Sequence, residues 1–287
     1  MTTDAPSTLV MAGTGKTGRR LVQTLRAAGR HARAASRSGE VRFDWSRRDT
    51  WRPALAGASA VYLLAPEDPA LATDFVTQAV DSGVGRIVAL SGRGIDRVGD
   101  FSPGMVAAEE AVRKSGIEWT IIRPNNFSQN FSEDLFRQPL LDGRLALPMG
   151  ATPEPFVDAQ DVADVAATLL TSPGHHERVY DLSGPRALTF DAAVATIARV
   201  TDRSIRYVEL TPEQYHAELL AEGYPAEAAT ALNALFAGMR AGHLAEPTDG
   251  VRRVLGRDPL DFDSYAARAA AAGAWSQSAR RAAGEAV

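Results

Sequence analysis

The chain has 287 residues, enough for one large domain or for a main domain with a smaller appendage. Apolar residues make up 45% and charged residues 23%, as in ordinary soluble globular proteins, and the formal charge of −4 argues against a dedicated nucleic-acid-binding face, which needs a basic surplus. No cysteine is present, so disulfides, thiolate zinc sites and cysteine nucleophiles are excluded. The opening "MTTDAPSTLV" lacks the charged-then-apolar layout of a signal peptide, and no apolar run approaches the ~18 residues of a membrane span, which together predict a cytoplasmic protein with no membrane association. The basic residues are almost all arginine, so a catalytic lysine could only be Lys16 or Lys114.

Along the first half, short apolar runs alternate with helical patterns, the signature of an α/β protein whose parallel sheet is flanked by helices. The expected strands are "TLVMA" (8–12), "HARAAS" (31–36), "AVYLLA" (60–65), "RIVALS" (86–91) and "EWTIIR" (118–123). Between them "TGRRLVQTLRAAG", "PALATDFVTQAVDSG" and "GMVAAEEAVRKSG" carry apolar residues at helical spacing and stop at glycine. A Rossmann-type doubly wound sheet follows, with its ligand at the carboxyl ends of the strands. Beyond residue 155 the alternation weakens: "FVDAQDVADVAATLLT" reads as a helix, "VYDLSG" and "SIRYVEL" as short strands, and 212–240 as largely helical. The expected organisation is a dinucleotide-binding domain over 1–155, a mixed segment over 156–275 that completes the sheet and forms a smaller, mostly helical substrate lid, and a tail over 276–287.

The stretch "VMAGTGKTGRRLV" holds two incompatible nucleotide signatures. A P-loop ending in Gly15-Lys16-Thr17 needs a glycine five residues before Gly15, where Val10 stands inside the expected strand. The dinucleotide reading fits: a strand ends at Ala12, Gly13, Gly15 and Gly18 follow, and an amphipathic helix begins at once. Gly13 allows the turn, Gly15 lets backbone approach a pyrophosphate, Gly18 lets helix and strand pack closely, and the helix start faces the phosphates. Thr14, Lys16 and Thr17 complete this loop. An NAD site holds the ribose hydroxyls with a carboxylate near the end of the second strand. Here Ser36 and Arg37 stand there, with no carboxylate until Glu40, which favours a 2′-phosphate and so NADP(H), with NAD(H) as the lesser option. Arg37 as an ordinary surface arginine is the alternative.

Together "AGTGKTGRRLV", "VYLLAPE", "RIVALSG", "SGIEWTIIRPNNFSQNF", "PFVDAQDVADVAATLL" and "VYDLSGPRALTF" resemble an atypical short-chain dehydrogenase/reductase of the NmrA-like group, over most of residues 8–270. "GTGKTG" and "RPNNFSQNF" are most similar to the reductases of ergot-alkaloid biosynthesis and their bacterial relatives. The family's first loop glycine is Ala12 here. The resemblance implies cofactor contacts from Asp44, Leu64, Ala65, Pro66, Ser91, Pro124 and Asn125, although Leu64 and Pro66 equally suit the core. It also implies a Tyr-x-x-x-Lys pair that falls on Phe101 and Met105, neither able to exchange a proton. No tyrosine in the chain has a lysine four positions later.

A ketone that accepts hydride becomes an alkoxide and needs a proton, whereas an iminium simply becomes an amine, and a quinone spreads the charge. The expected function is therefore an NADPH-dependent reductase of a small aromatic or polycyclic ketone, quinone or iminium in secondary metabolism, a monomer or homodimer. The alternative is a non-catalytic NADP(H)-binding sensor. Asn126, Phe127, Asn130 and Phe131, with Gln129, are the expected substrate residues, the phenylalanines equally suiting the core and Asn126 a helix cap. Ser91 and Asn126 are the candidates for a hydrogen bond to a substrate carbonyl. Tyr215, His216 and Tyr224 lie in the expected lid. His175-His176-Glu177 lacks a spaced third ligand for a metal, and Asp158, Asp161 and Asp164 read as charges at a helix start, so no metal is expected.

Overall fold

Strand segments buried on both faces are expected to be continuously apolar, and "LVM", "AVYLL" and "IVAL" meet that demand. The structure, a computed structural model, describes residues 7–96 and 102–276. Phe101 and, apart from Ser276, the expected tail lie outside them. In chain order the elements are β1 (Ser7–Met11), α1 (Lys16–Ala27), β2 (Ala32–Ser36), β3 (Val41–Arg42), α2 (Trp51–Leu55), β4 (Ala58–Leu64), α3 (Pro69–Asp81), β5 (Arg86–Leu90), α4 (Pro103–Arg113) and β6 (Glu118–Pro124). Then come α5 (Asn130–Glu133), α6 (Arg137–Leu141), β7 (Arg144–Leu147), α7 (Ala159–Thr171), β8 (Arg178–Leu182), α8 (Phe190–Thr201), β9 (Arg206–Glu209), α9 (Pro212–Ala221), α10 (Ala226–Arg240), α11 (Gly250–Leu255) and α12 (Phe262–Ala271). Among the described residues no helix is long and apolar enough to cross a membrane.

The chain forms two units. The first holds residues up to Pro124, Ala159–Leu182 and Asp249–Asp258. Its seven strands run in the order β3-β2-β1-β4-β5-β6-β8, all parallel. The order reverses beside β1, the switch point at which a doubly wound sheet opens its ligand crevice. Alternate residues divide between the faces. Leu9, Met11, Val61, Leu63, Ile87, Ala89 and Ile121 join one core with residues of α2, α3 and α4. On that face Phe43, Trp51 and Phe75 pack with Trp45 at ring separations of 5.0 to 6.4 Å. Tyr62 points the other way, and α7 packs against α1. Arg257 holds α7 in place, bonding Asp161 at 2.7 Å and Asp164 at 2.9 Å.

The second unit holds Asn125–Asp158, Ser183–Thr248 and the chain from Pro259. Its core is aromatic: Phe131, Phe136, Phe156, Phe190 and Phe262 meet at 5.1 to 5.7 Å. Trp275 closes it, its indole N–H donating to the Phe131 carbonyl at 2.7 Å. "VYDLSG" supplies β8 of the large sheet, whereas "SIRYVEL" supplies β9, which pairs only with β7 in a separate two-stranded parallel sheet. The helical run over 212–240 breaks at 222–225, where α9 ends and Pro225 precedes α10.

One charged cluster sits inside the first unit. Arg123, near the end of β6, is clamped by Glu109 at 2.6 and 2.7 Å and by Asp96 at 2.7 and 3.0 Å. Burial pushes the Glu109 carboxyl up, but Arg123 and Arg113 outweigh it and hold it below the usual carboxylate range. A carboxyl depressed in the fold stabilises above its unfolded value and loses that contribution as pH falls through the folded one. Glu109→Gln is therefore expected to lower stability at pH 7 by about 1.5–3 kcal/mol. Chemical denaturation along a pH series should show the gap to wild type closing only below the ordinary carboxylate value of 4.5.

Candidate active site

The first unit makes its cradle where β1 passes into α1. Ala12 takes a left-handed conformation, φ 47°, which turns its carbonyl onto the Gly15 amide at 2.8 Å. That conformation costs an alanine about 1–2 kcal/mol, so Ala12 is a strained residue and not merely the last of the strand. The Gly13 amide donates to the Ala35 carbonyl at 3.0 Å, and a Cβ at 13 would lie 2.6 Å from the Ala34 Cα. A Cβ at 18 would lie 2.1 Å from the Ala12 carbonyl oxygen. Gly15 is different: its φ is −80°, and a Cβ would find only Ala12 nearby, its carbonyl oxygen 3.1 Å away. A side chain at 15 would press on that one oxygen, which must give by a few tenths of an ångström, and would otherwise project at the start of the helix.

Helix α1 begins without a side-chain cap and without an acidic residue in its first turn. The amides of its first turn and its dipole suit an anion. Thr14 is exposed and Lys16 half-buried, flanking that start. Thr17 is buried, and the Tyr62 hydroxyl donates to its Oγ1 at 3.2 Å, so its side chain ties α1 to β4 and what it can offer a phosphate is its backbone amide.

At the end of β2 the Ser36 Oγ is buried with no hydrogen-bond partner among the described residues, a group that a ligand can satisfy. Arg37 beside it is exposed. Glu40, the nearest carboxylate in sequence, is engaged by Arg26. Asp44 accepts the Ser46 amide at 3.0 Å and hydroxyl at 2.8 Å, and these bonds, with the charges of Arg37 and Arg47, hold its carboxyl below the usual range. These features fit a dinucleotide: a loop that side chains would fill, a helix whose first turn carries no acidic residue of its own, and a buried hydroxyl at the end of β2 that no described group satisfies. Leu64 and Ala65 are half-buried, while Pro66 and Ser91 are buried, all at the carboxyl ends of β4 and β5. Pro66 is packed under α4, where a Cβ on Gly104 would lie 1.8 Å from its carbonyl oxygen. Pro124 closes β6, and its carbonyl accepts the Arg93 amide at 3.0 Å. Met105, the position of the family's lysine, is half-buried in α4.

In the second unit the segment after β6 runs beside 154–157. Val157 donates to the Asn126 carbonyl at 2.9 Å and Ser128 to the Val157 carbonyl at 2.9 Å, with Phe127 opposite Val157. Asn125 is buried, its Nδ2 3.2 Å from the Leu244 carbonyl and 3.4 Å from the Glu154 carboxylate. Asn126 is half-buried and donates to Glu154 at 3.0 Å; it caps no helix, since Gln129 precedes α5. That engagement removes Asn126 as a donor to a substrate carbonyl. Phe127 and Asn130 keep partial exposure.

Phe131 does not wall a pocket. It is fully buried at the centre of the phenylalanine cluster, because an aromatic ring gains more from dense packing than from a wet surface. Tyr215 is likewise core, edge-on to Phe236 at 5.3 Å, and burial pushes its phenol up to about 12. His216 is half-buried and Tyr224 exposed. Gln129 donates to Asp158 at 2.7 Å, and Arg268 bonds the same carboxylate at 2.6 Å. His175 lies 2.9 Å from the Tyr180 hydroxyl, and His176 accepts the Trp119 amide at 3.2 Å. Among the described residues no cluster of three metal-ligating side chains forms. Glu154, buried beside Asn125 and Asn126, is the group that sequence reasoning missed, since nothing in "TPEPF" marks a glutamate as buried.

Two variants separate strain from ligand contact. Ala12→Gly should raise stability by up to about 1 kcal/mol in chemical denaturation, because relief of the left-handed strain exceeds the added chain entropy. Gly15→Val should melt somewhat below wild type, because its Cβ presses on the Ala12 carbonyl oxygen, yet stay folded and lose NADPH binding, read by nicotinamide fluorescence.

The family model described as NAD(P)H-binding matches residues 12–173. NAD(P)H azoreductase of Xenophilus azovorans is 30% identical over 93% of this chain and 99% of its own. Festuclavine synthase II of Penicillium roqueforti is 31% identical over 90% and 96%. Among solved structures, the Citrobacter triphenylmethane reductase complexed with NADP(H) superposes with a TM-score of 0.78 at 21% identity, over 92% of this chain and 99% of that one. With the glycine cradle, the strand order and the family match in agreement, this chain belongs to the NAD(P)H-binding family and is an NAD(P)H-dependent oxidoreductase.

Proposed function

We propose that the protein reduces a small aromatic or polycyclic quinone, ketone or iminium with NADPH, without a protein acid of the tyrosine–lysine type. The observation that carries the cofactor choice is the end of β2: an orphaned Ser36 hydroxyl and an exposed Arg37, with Glu40 turned to Arg26. A hydroxyl and a guanidinium complement a phosphate, and a ribose diol would instead want a carboxylate. The names of the relatives, an azoreductase and a festuclavine synthase, support a small-molecule acceptor.

When bound, the cofactor supplies the hydride. The loop and the start of α1 would hold its pyrophosphate, Ser36 and Arg37 its 2′-phosphate, and Asp44 its adenine. The residues at the ends of β4, β5 and β6 would flank its nicotinamide end. Asn125, Asn126, Phe127 and Asn130 would meet the substrate. With Met105 in place of a lysine, the residues orient and desolvate the acceptor and leave its protonation to the acceptor's own chemistry or to water.

The test is NADPH oxidation by the purified protein against a panel of quinones, aromatic ketones and cyclic iminium compounds. Turnover of one class supports the reading; tight NADPH binding with no reduction across the panel would favour a binding-only sensor. Arg37→Ala should weaken NADPH binding by about 10- to 100-fold, as expected for one lost charge-assisted hydrogen bond, and leave NADH nearly unchanged. Equal losses for the two would show that Arg37 does not meet a 2′-phosphate.

A further inference from the structure

Glu154 has no route to water. It is 1% exposed, and its backbone is fixed by Leu188 at 2.8 and 3.0 Å and by Phe156 at 3.0 Å. Its Oε2 accepts Nδ2 of Asn126 at 3.0 Å, and Asn125 Nδ2 lies 3.4 Å away. The Asn126 backbone is pinned as well, through Val157. In the structure the Asn126 amide turns its nitrogen toward Glu154 Oε2; against an ionised carboxylate the opposite flip would face two acceptors against each other. Met239 Sδ lies 3.7 Å from the same nitrogen. The amide nitrogen is therefore committed to the protein, and Asn126 Oδ1 accepts no hydrogen bond among the described residues.

We propose that Glu154 is a positioning residue that sets the polarity of the substrate site: by fixing Asn126 with its carbonyl oxygen outward, it makes the site select acceptors that donate a hydrogen bond, such as an N–H-bearing cation, over a bare carbonyl. This rests on the proposed placement of Asn126 at the substrate. The preference is a matter of pairing. A site built around an acceptor leaves that oxygen and the ligand's own unpaired when a ketone enters.

The experiment uses the full chain loaded with NADP⁺ and two ligands of one ring system, tetrahydroisoquinolinium as the N–H donor and β-tetralone as the acceptor. Calorimetry gives both dissociation constants for the wild type, Glu154→Gln and Asn126→Leu. The wild type should bind the ammonium at least about tenfold more tightly than the ketone. Glu154→Gln, whose amide can meet Asn126 by either end, should erase most of that ratio, and Asn126→Leu should erase it with the Glu154 charge still present. Equal or reversed preference in the wild type, binding of neither ligand, or a ratio that survives in either variant would overturn the proposal; survival in Asn126→Leu alone would assign the selectivity to the Glu154 charge. Because the readout is binding, selective binding without any reduction would sink the proposed function and leave this inference standing.

Discussion

Helix α1 reaches its place against β1 only because residue 18 has no side chain. A methyl group there would overlap the Ala12 carbonyl oxygen, which is itself turned into the loop by a left-handed alanine and held by the Gly15 amide. That close approach puts the start of the helix over the switch point of the sheet, where a helix start suits a phosphate. The Tyr62–Thr17 bond and the packing of α7 on α1 keep the helix there. The oxyanion-friendly end is thus a by-product of how tightly strand and helix must pack, and function follows from a steric constraint.

Each unit holds one polar arrangement of its own. At the end of β2 the first unit presents the Ser36 hydroxyl and the Arg37 guanidinium, with Glu40 engaged by Arg26. In the second unit the buried Glu154 accepts from the amide nitrogens of Asn125 and Asn126. Neither device transfers a proton. Both act by deciding which partner can pair without leaving a polar group stranded, which is where buried hydrogen bonds have their largest effect.

Much of the first unit was legible because its strands are apolar on both faces and its helices end at glycines such as Gly29 and Gly83, both at positive φ. The loop glycines were legible because each has a separate steric reason. What failed were assignments that depend on burial. "RLAL" over 144–147 is too short to announce itself as β7, and its partner β9 lies far along the chain. Phe131 and Tyr215 looked available because sequence says a residue is aromatic, not that other rings surround it. Glu154 escaped for the converse reason: glutamate is mostly exposed, and only the pairing of 125–128 with 154–157 brings it to the asparagines.

The way the chain alternates between its two units has a consequence for biosynthesis. The first unit needs α7 and β8, which follow the first visit to the second unit, and α11, which follows Thr248. As the chain leaves the ribosome, β6 waits without its outer neighbour until residues 178–182 emerge, and the Arg257 clasp on Asp161 and Asp164 cannot close until residue 257 has followed. The glycine loop over 12–18 precedes all of these along the chain, so the nascent chain carries it before the sheet that supports it is whole.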